Sequence, residues 1–167
     1  MLELHIYRTY EQVTVIEPTN KKELKKIIEH RIKEQGPNCN LNDINVSWIT
    51  DMSWLFADSD FNGDISKWNV SRVERMDRMF YHSQFNGDIS KWNVSNVKNM
   101  SFMFAESQFN GNISKWNVSN VKNMMGMFLD SKFNRDISKW NVSNIIDMHY
   151  IFKRSPLEGK EPSWYRE

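Results

Sequence analysis

The sequence predicts an α/β fold, a short and curved right-handed β/α solenoid of 24-residue repeats that begins with an N-terminal cap of one hairpin and one helix. Two observations lead to this prediction. The letters FNGDISKWNVS occupy residues 61–71 and return at 85–95, and near-copies follow at 109–119 and 133–143. Each interval contains a short run rich in β-branched and aromatic residues, followed by apolar residues at helical spacing. We therefore expect one strand and one helix in each unit.

The N-terminal segment, residues 1–36, precedes the repeats, and we expect it to cap them. The runs LELHIYR and QVTVIE alternate polar and apolar residues, which is typical of a hairpin, here with its turn near residues 9–11. Asn20 and Glu23 then form an N-capping signal for an amphipathic helix. A cap is expected because an open end would expose apolar surface and strand edges, and a separate docking element is the alternative.

Five repeat units are expected in residues 37–155, and an abbreviated sixth unit in residues 156–167. The first unit is degenerate and begins near Pro37, whereas Trp164 marks the sixth because it follows Trp140 by one full repeat period. Four columns of matching residues indicate the core: Phe61, Phe85, Phe109 and Phe133; Trp68, Trp92, Trp116 and Trp140; Met76, Met100, Met124 and Met148; and Phe56, Phe80, Phe104, Phe128 and Phe152.

The order of residues within one unit predicts its local structure. DISKWNV predicts the strand, and Ser71 is the expected N-cap of a helix in RVERMDRMFYHS. The FNG turn is expected to use positive φ at Gly63, Gly87 and Gly111. Helices are ~10 Å wide whereas parallel strands lie about 4.8 Å apart, so the array should curve with its strands inside. A narrower 3₁₀ turn is the alternative to the α-helix, and it would lessen the curvature.

Charge and composition narrow the possible classes of function. The 22 basic and 21 acidic residues leave a net charge of +1, which argues against the clustered basic surface of a nucleic-acid binder. Cys39 is the only cysteine, so an intrachain disulfide is excluded, and the sequence has no run of ~18 apolar residues that would predict a membrane span. The charged N-terminus lacks the apolar run of a signal peptide. We expect a cytoplasmic protein, or a secreted or cell-surface one if a leader has been removed.

The stretch FNGDISKWNVSNVKNMSFMF resembles the repeats of the BspA-like leucine-rich-repeat family, in the branch with the pattern D-I-S-x-W-x-V-S-x-V-x-x-M-x-x-M-F, long known as a bacterial domain of unknown function. The resemblance covers roughly residues 37–155, and NKKELKKIIEHRIKEQG before them is similar to the lead-in helix of such proteins. It implies a leucine-rich-repeat-like solenoid in a bacterial binding protein, often attached to the cell surface, without a recognised catalytic centre.

Catalytic and metal sites are not expected. Asp64, Asp88 and Asp136 recur at one position, but Asn112 replaces the carboxylate in one unit, and calcium would need more acidic oxygens than a unit offers. We predict that these residues cap turns instead. The four histidines show no ligand spacing, and the chain has no nucleophile or phosphate-loop motif. We therefore expect no enzymatic activity, no metal and no cofactor.

The variable positions of the repeat are the first candidates for binding, because a repeat array keeps its core and varies its contact surface. On a helical wheel the position of Arg78 lies opposite the core, and aromatic residues occupy it in three other units. The candidate stripe consists of Trp54, Arg78, Phe102 and Tyr150, with Tyr81 and Leu129 in a neighbouring column. Exposed aromatics are typical interface anchors, and rings that lie across adjacent helices or turn inward are the alternative.

A second candidate surface is the row formed by Lys67, Lys91, Lys115 and Lys139. Four evenly spaced charges would suit an anionic partner, and the alternative is a solvated row inherited from duplication of the repeat. The leading hypothesis for function is a protein–protein interaction module, and the alternatives are a surface adhesin or host-interaction protein and a self-associating structural protein. We expect a protein partner rather than nucleic acid, and a monomer or homodimer.

Overall fold

Two strands and one helix form before the repeats, in a computed structural model that describes residues 6–10 and 13–166. Strand β1 spans Ile6–Tyr10 and strand β2 spans Val13–Ile16. The strands pair antiparallel as the sequence predicts. The start of the first predicted strand and the residues that connect the two strands lie outside the described residues.

Helix α1 spans Lys21–Gln35, and its ends follow from the local sequence. The side chain of Asn20 accepts a hydrogen bond of 3.0 Å from the backbone N–H of Glu23. The Glu23 carboxylate accepts one of 2.7 Å from the backbone N–H of Thr19, the residue before the N-cap, so both predicted capping residues bind the backbone at the start of the helix. Gly36, at φ 85°, ends it, because glycine tolerates a positive φ. None of the helices in the described residues combines the length and apolar character needed to cross a membrane.

The hairpin and α1 are joined to the first repeat unit. The backbone N–H of Ile16 donates a hydrogen bond of 3.0 Å to the Asp43 carbonyl, and the N–H of Asn45 donates one of 2.7 Å to the Ile16 carbonyl. Leu24 and Ile28 of α1 are fully buried in the same core as the repeats. The N-terminal segment therefore covers the apolar end of the first unit.

The repeat region differs from what the sequence predicts, and the prediction of a β/α solenoid is wrong. Among the described residues after α1 there is neither a strand nor a helix, and each unit is a succession of turns. DISKWNV is not a strand, and Ser71 lies in a turn rather than at the start of a helix. Between units, the backbone pairing is confined to isolated parallel bridges such as Asp51 with Arg75 and Arg75 with Asn99.

Hydrogen bonding between units explains why the predicted helix does not form. The backbone N–H groups of Met76, Arg78 and Phe80 donate across to the next unit, to carbonyls of Asn99, Ser101 and Met103 at 2.9 Å. An α-helix would need those N–H groups for its own carbonyls. Arg78 has a φ of 55°, which a right-handed helix excludes. The apolar spacing that resembles a helix is therefore produced by turns stacked on the next unit.

The glycines of the FNG turn also serve a different purpose from the predicted one. Positive φ was expected at Gly63, Gly87 and Gly111, but none of them has it. A Cβ on Gly63 would lie 1.9 Å from the carbonyl oxygen of Cys39. Close approach of neighbouring backbone, rather than an unusual φ, requires glycine there.

The predicted core columns are buried, apart from half-buried Met148. Their rings stack between units, with Phe80 and Phe104 centroids 5.5 Å apart and those of Trp68 and Trp92 6.4 Å apart. Trp164 continues the series, since its Nε1 donates a hydrogen bond of 2.9 Å to the Ile137 carbonyl. Successive units thus share one core that extends into the abbreviated sixth unit.

Candidate binding surface

The main candidate column occupies a left-handed backbone position. Trp54, Arg78, Phe102 and Tyr150 have φ between 55° and 61°, and Gly126 occupies the equivalent position in the fourth unit with φ 60°. A residue with a Cβ is disfavoured in this conformation by roughly 1–2 kcal/mol. Trp54 and Tyr150 are exposed, whereas Arg78 and Phe102 are half-buried and Gly126 is buried. The column lies on a left-handed turn and not on a helix, so the helical wheel does not describe it.

A cation stacks between two aromatic rings in this column. The Arg78 guanidinium carbon lies 4.9 Å from the centroid of the Trp54 ring and 4.6 Å from that of the Phe102 ring. Both distances are within the range of a cation–π interaction. Trp54 is 44% exposed, so the stack lies at the surface. The three residues come from three consecutive units.

Tyr81 extends this stack sideways. Its ring meets the Trp54 ring edge-on at 6.1 Å, and its hydroxyl donates a hydrogen bond of 2.7 Å to the Glu106 carboxylate. That hydrogen bond raises the pKa of Tyr81, because a phenolate could not donate to the carboxylate and would be repelled by it. Trp54, Arg78, Phe102 and Tyr81 form one contiguous patch, which we call the stacked surface.

Tyr150 and Leu129 do not join the stacked surface. The Phe102 ring lies over Gly126, where an added Cβ would be 2.4 Å from Phe102 Cε1, so the series of side chains stops there. Tyr150 lies beyond this gap, is 56% exposed and has the Lys153 ammonium 5.0 Å from its ring centroid. Leu129 is half-buried, and its backbone carbonyl accepts a hydrogen bond of 2.8 Å from the Glu106 N–H. The structure therefore brings together four of the six predicted stripe residues.

The lysine row is exposed and lies beside a row of carboxylates. Lys67, Lys91, Lys115 and Lys139 are all exposed, and none forms an ion pair within the part of the chain that the structure describes. Their neighbours three residues earlier are Asp64, Asp88, Asn112 and Asp136. The alternating charges leave little net positive potential, so this row is a weaker candidate for an anionic partner.

The aspartate column caps turns, as the sequence predicts. The carboxylates of Asp64, Asp88 and Asp136 accept hydrogen bonds of 2.8–2.9 Å from the backbone N–H two residues later. Hydrogen bonds from the side chain and the backbone N–H of the serine two residues later lower the pKa of each carboxyl group, because they favour its charged form. Asn112 accepts the same bond at 3.1 Å without a charge, so the turn does not depend on a carboxylate. Residues 6–10 and 13–166 contain no cluster of side chains arranged to hold a metal ion.

Cys39 is buried in the first unit. Burial raises the pKa of its thiol, since desolvation disfavours the thiolate. The thiolate is the reactive form, so Cys39 is not an activated nucleophile.

Sequence reasoning missed a second stacked pair. The Arg72 guanidinium lies 4.5 Å from the centroid of the Trp48 ring, and Trp48 is 64% exposed. The signal was present in the repeat period. Trp48 and Arg72 are separated by one repeat period, as are Trp54 and Arg78, and this separation places side chains next to each other in consecutive units.

Comparison with known protein families relates most of this chain to one family. Residues 22–128 and 105–164 match a family described as "Mycoplasma protein of unknown function, DUF285". No curated protein and no solved structure matches the chain. The match confirms the expected relation to BspA-like proteins at the level of the family, without bearing on the particular repeat motif. Because the matched segments together span more than half of its residues, the chain belongs to the DUF285 family of Mycoplasma proteins of unknown function.

Proposed function

We propose that the repeat array is a non-catalytic protein–protein interaction module that binds its partner through the stacked surface. The observation that carries this proposal is the position of Arg78 between the Trp54 and Phe102 rings at the surface. Tryptophan, tyrosine and arginine are the residue types that most often dominate the energy of protein interfaces. The stacked surface presents all three together.

Preorganisation supports this proposal. Each side chain of the stacked surface is held by its neighbours, and the Tyr81 hydroxyl is fixed by Glu106. Binding would therefore immobilise few free rotamers, which reduces the entropic cost of association. A loose aromatic residue on a mobile turn would bind less strongly for the same contact area.

The chemistry of the stacked surface indicates what the partner presents. The Arg78 guanidinium forms no hydrogen bond or ion pair within the described residues, so its N–H groups remain available to an acceptor. The Trp54 ring beside it offers apolar area. A partner loop that carries an apolar or aromatic side chain next to a carboxylate would pack on the Trp54 ring and accept hydrogen bonds from Arg78. The same contact would serve the alternative function, that of a surface adhesin.

The test compares three variants in affinity capture from the native cell, followed by titration of the captured protein. Trp54→Ser with Phe102→Ser should abolish detectable capture, since interface aromatics commonly contribute about 2 kcal/mol or more each. Its matched control is Trp48→Ser, which removes an exposed ring outside the stacked surface.

The third variant changes Lys67, Lys91, Lys115 and Lys139 to Gln and tests the lysine row. It should alter mainly the salt dependence of binding. Circular dichroism melts check that each variant folds. If the folded double variant keeps full affinity while the lysine variant loses it, the contact surface is the lysine row and the proposal is wrong.

A further inference from the structure

Two stretches of this chain have the same sequence but different surroundings. FNGDISKWNVS occupies residues 61–71 and again 85–95, so Asn62 and Asn86 each lie between a phenylalanine and a glycine in identical local sequence. An asparagine followed by glycine is prone to lose its side-chain amide, because glycine has no Cβ to hinder the approach of its backbone nitrogen to the asparagine Cγ. Any difference in reactivity between these two asparagines in the folded protein therefore comes from the fold.

The backbone around Asn62 is held to the start of the first unit. The Asn62 N–H donates a hydrogen bond of 2.8 Å to the Pro37 carbonyl, and the Asp64 N–H donates one of 3.2 Å to the Cys39 carbonyl. The glycine between them is tightly packed, since a Cβ on Gly63 would lie 1.9 Å from the Cys39 carbonyl oxygen. Attack on the Asn62 side chain needs this segment to move, so the reaction has to wait for local opening.

The backbone around Asn86 is not held in this way. Within residues 6–10 and 13–166, no backbone–backbone hydrogen bond joins residues 86–88 to another unit. The nearest backbone atom to a Cβ on Gly87 would be the Gly63 carbonyl oxygen at 3.1 Å, so the packing is also looser. Segments with few backbone hydrogen bonds open most easily. The segment at Asn86 is therefore freer to move than its copy at Asn62.

The groups that the reaction needs are present at Asn86. Its side chain is exposed, and Oδ1 accepts a hydrogen bond of 2.8 Å from the Asn110 backbone N–H. That donor faces the oxygen on which negative charge develops when the amide is attacked, and so stabilises the intermediate. The Gly87 N–H, the attacking group, donates no hydrogen bond within the part of the chain that the structure describes. Gly87 also lines an open pocket of about 450 Å³, through which water reaches it.

The other asparagines of this column are less suited to the reaction. The Asn62 Oδ1 has an equivalent donor in the Asn86 N–H at 2.8 Å, so the mobility of the backbone is what separates Asn62 from Asn86. Asn110 is followed by glycine, but it is half-buried and its backbone carbonyl accepts a hydrogen bond of 2.8 Å from Arg135 Nε. Asn134 is followed by Arg135, whose Cβ hinders ring closure.

We propose that Asn86 is a site of spontaneous modification, at which the folded protein loses the side-chain amide to water. The Gly87 nitrogen gives up its proton to solvent and attacks Asn86 Cγ, which forms a new bond between them. The bond from Cγ to Nδ2 then breaks, and Nδ2 takes a proton from solvent and leaves as ammonia. Water opens the resulting cyclic imide at either of its carbonyls and yields aspartate or isoaspartate. The overall reaction consumes water and releases ammonia, and it needs neither an enzyme nor an oxidant.

This modification changes the surface of the array as the protein ages. Either product places a new carboxylate two residues before Asp88, whose carboxylate already interacts with the charge of Lys91. Isoaspartate also adds a carbon to the main chain, which disturbs the hydrogen bond that Asn110 donates to residue 86 of the preceding unit. The lysine row therefore becomes less positive, and the contact between two units becomes weaker.

Ageing of the full chain at slightly alkaline pH, followed by trypsin digestion and tandem mass spectrometry, tests the proposal. Trypsin separates the asparagines, because Asn86, Asn62 and Asn110 belong to the fragments 79–91, 34–67 and 99–115. In the folded protein Asn86 should convert at least about fivefold faster than Asn62 or Asn110, since its segment opens most easily. In guanidinium chloride, Asn62 and Asn86 should convert at the same rate because their local sequences are identical.

The variant Gly87→Ala tests the chemistry independently of folding. In guanidinium chloride it should slow conversion at Asn86 several-fold, because the added Cβ hinders attack by the backbone nitrogen. Conversion at Asn62 in the same sample is the matched control and should stay as in the natural chain. An unchanged rate at Asn86 would mean direct hydrolysis of the amide, and would overturn the proposal.

The proposal is also overturned if Asn62 or Asn110 converts as fast as Asn86 in the folded protein, or if Asn86 converts only in guanidinium chloride. Neither result affects the stacked surface, because that surface contains none of these asparagines and is tested through Trp54 and Phe102.

Discussion

The indole Nε1 of Trp92 donates a hydrogen bond of 3.2 Å to the carbonyl oxygen of Ile65, 27 residues earlier and in the preceding unit. The same bond recurs from Trp68 to Leu41, and from Trp116 to Ile89. Each of these three tryptophans therefore fills the core and also donates a hydrogen bond to a backbone carbonyl of the preceding unit. This double role explains why a ring with a donor suits the position better than phenylalanine.

Replacing Trp92 with alanine should lower the free energy of unfolding by about 3–5 kcal/mol, the usual range for a buried large aromatic. Trp92→Phe keeps most of the ring but removes one of the two hydrogen bonds to the Ile65 carbonyl, which still accepts the Trp68 N–H at 3.1 Å, and should cost about 0.5–1.5 kcal/mol. Urea denaturation followed by circular dichroism measures both. Trp48→Ala, at an exposed ring, is the control and should change stability by less than about 1 kcal/mol. Equal effects at positions 48 and 92 would contradict this account.

The left-handed position of Arg78 should reverse the usual order of alanine and glycine. Both Arg78→Ala and Arg78→Gly lose the two ring contacts, but only glycine removes the strain of a φ of 55°. The glycine variant should therefore be more stable than the alanine variant by about 1 kcal/mol in urea denaturation.

Arg72 is the matched control, because it also stacks on a tryptophan but its φ is outside the left-handed region. There the glycine variant should be less stable than the alanine variant by roughly 0.5–1 kcal/mol. If the alanine variant is more stable than the glycine variant at both positions, the left-handed conformation of Arg78 has no effect on stability.

The aspartate column should make the stability of the folded protein depend on pH in the acidic range. The pKa values of Asp64, Asp88 and Asp136 are lowered below the ordinary range of an aspartate in the folded state by hydrogen bonds from the serine two residues later. As the pH falls, the unfolded chain therefore binds protons before the folded one does, and stability is lost as the pH falls through the folded-state pKa values. Changing all three residues to Asn keeps the acceptor and removes the titration.

The triple Asn variant should accordingly lose less stability than the natural chain between about pH 5 and pH 2. Thermal melts across this range measure the difference. Glu29→Gln, Glu34→Gln and Asp60→Asn together remove the same charge from exposed residues without such a turn, and they should preserve the steeper acid dependence. If the melting temperatures of the two triple variants depend on pH in the same way, the three aspartates are not the cause of the acid dependence.

Close packing at Gly63 should make alanine costly there and less costly at Gly111. A Cβ at Gly63 would lie 1.9 Å from a backbone oxygen, which cannot move without the chain. At Gly111 the nearest atom is a Phe109 ring carbon at 2.7 Å, and the nearest backbone oxygen is 3.6 Å away. Gly63→Ala should cost about 1–3 kcal/mol or more. A melting temperature that falls further for Gly111→Ala than for Gly63→Ala would contradict this explanation.

The sequence alone was sufficient to identify the core and the helix that precedes it. Phe80, Met100 and Trp116 are buried as expected, because an apolar residue repeated at one position of every unit has the same environment in every unit. The cap of α1 was also readable, since Asn20 and Glu23 are close neighbours in the chain. Both features can be read from the sequence because neither the burial of a repeated apolar position nor a cap between close neighbours depends on the path of the backbone elsewhere.

Only the tertiary structure decided the path of the backbone and the shape of the surface. The N–H groups of Met76 and Phe80 find their acceptors in the next unit, and a sequence window that favours a helix does not contain that competing partner. The same stacking of units places Arg78 between two rings. Identical apolar spacing is compatible with a helix or with stacked turns, and hydrogen bonds between distant residues select the turns.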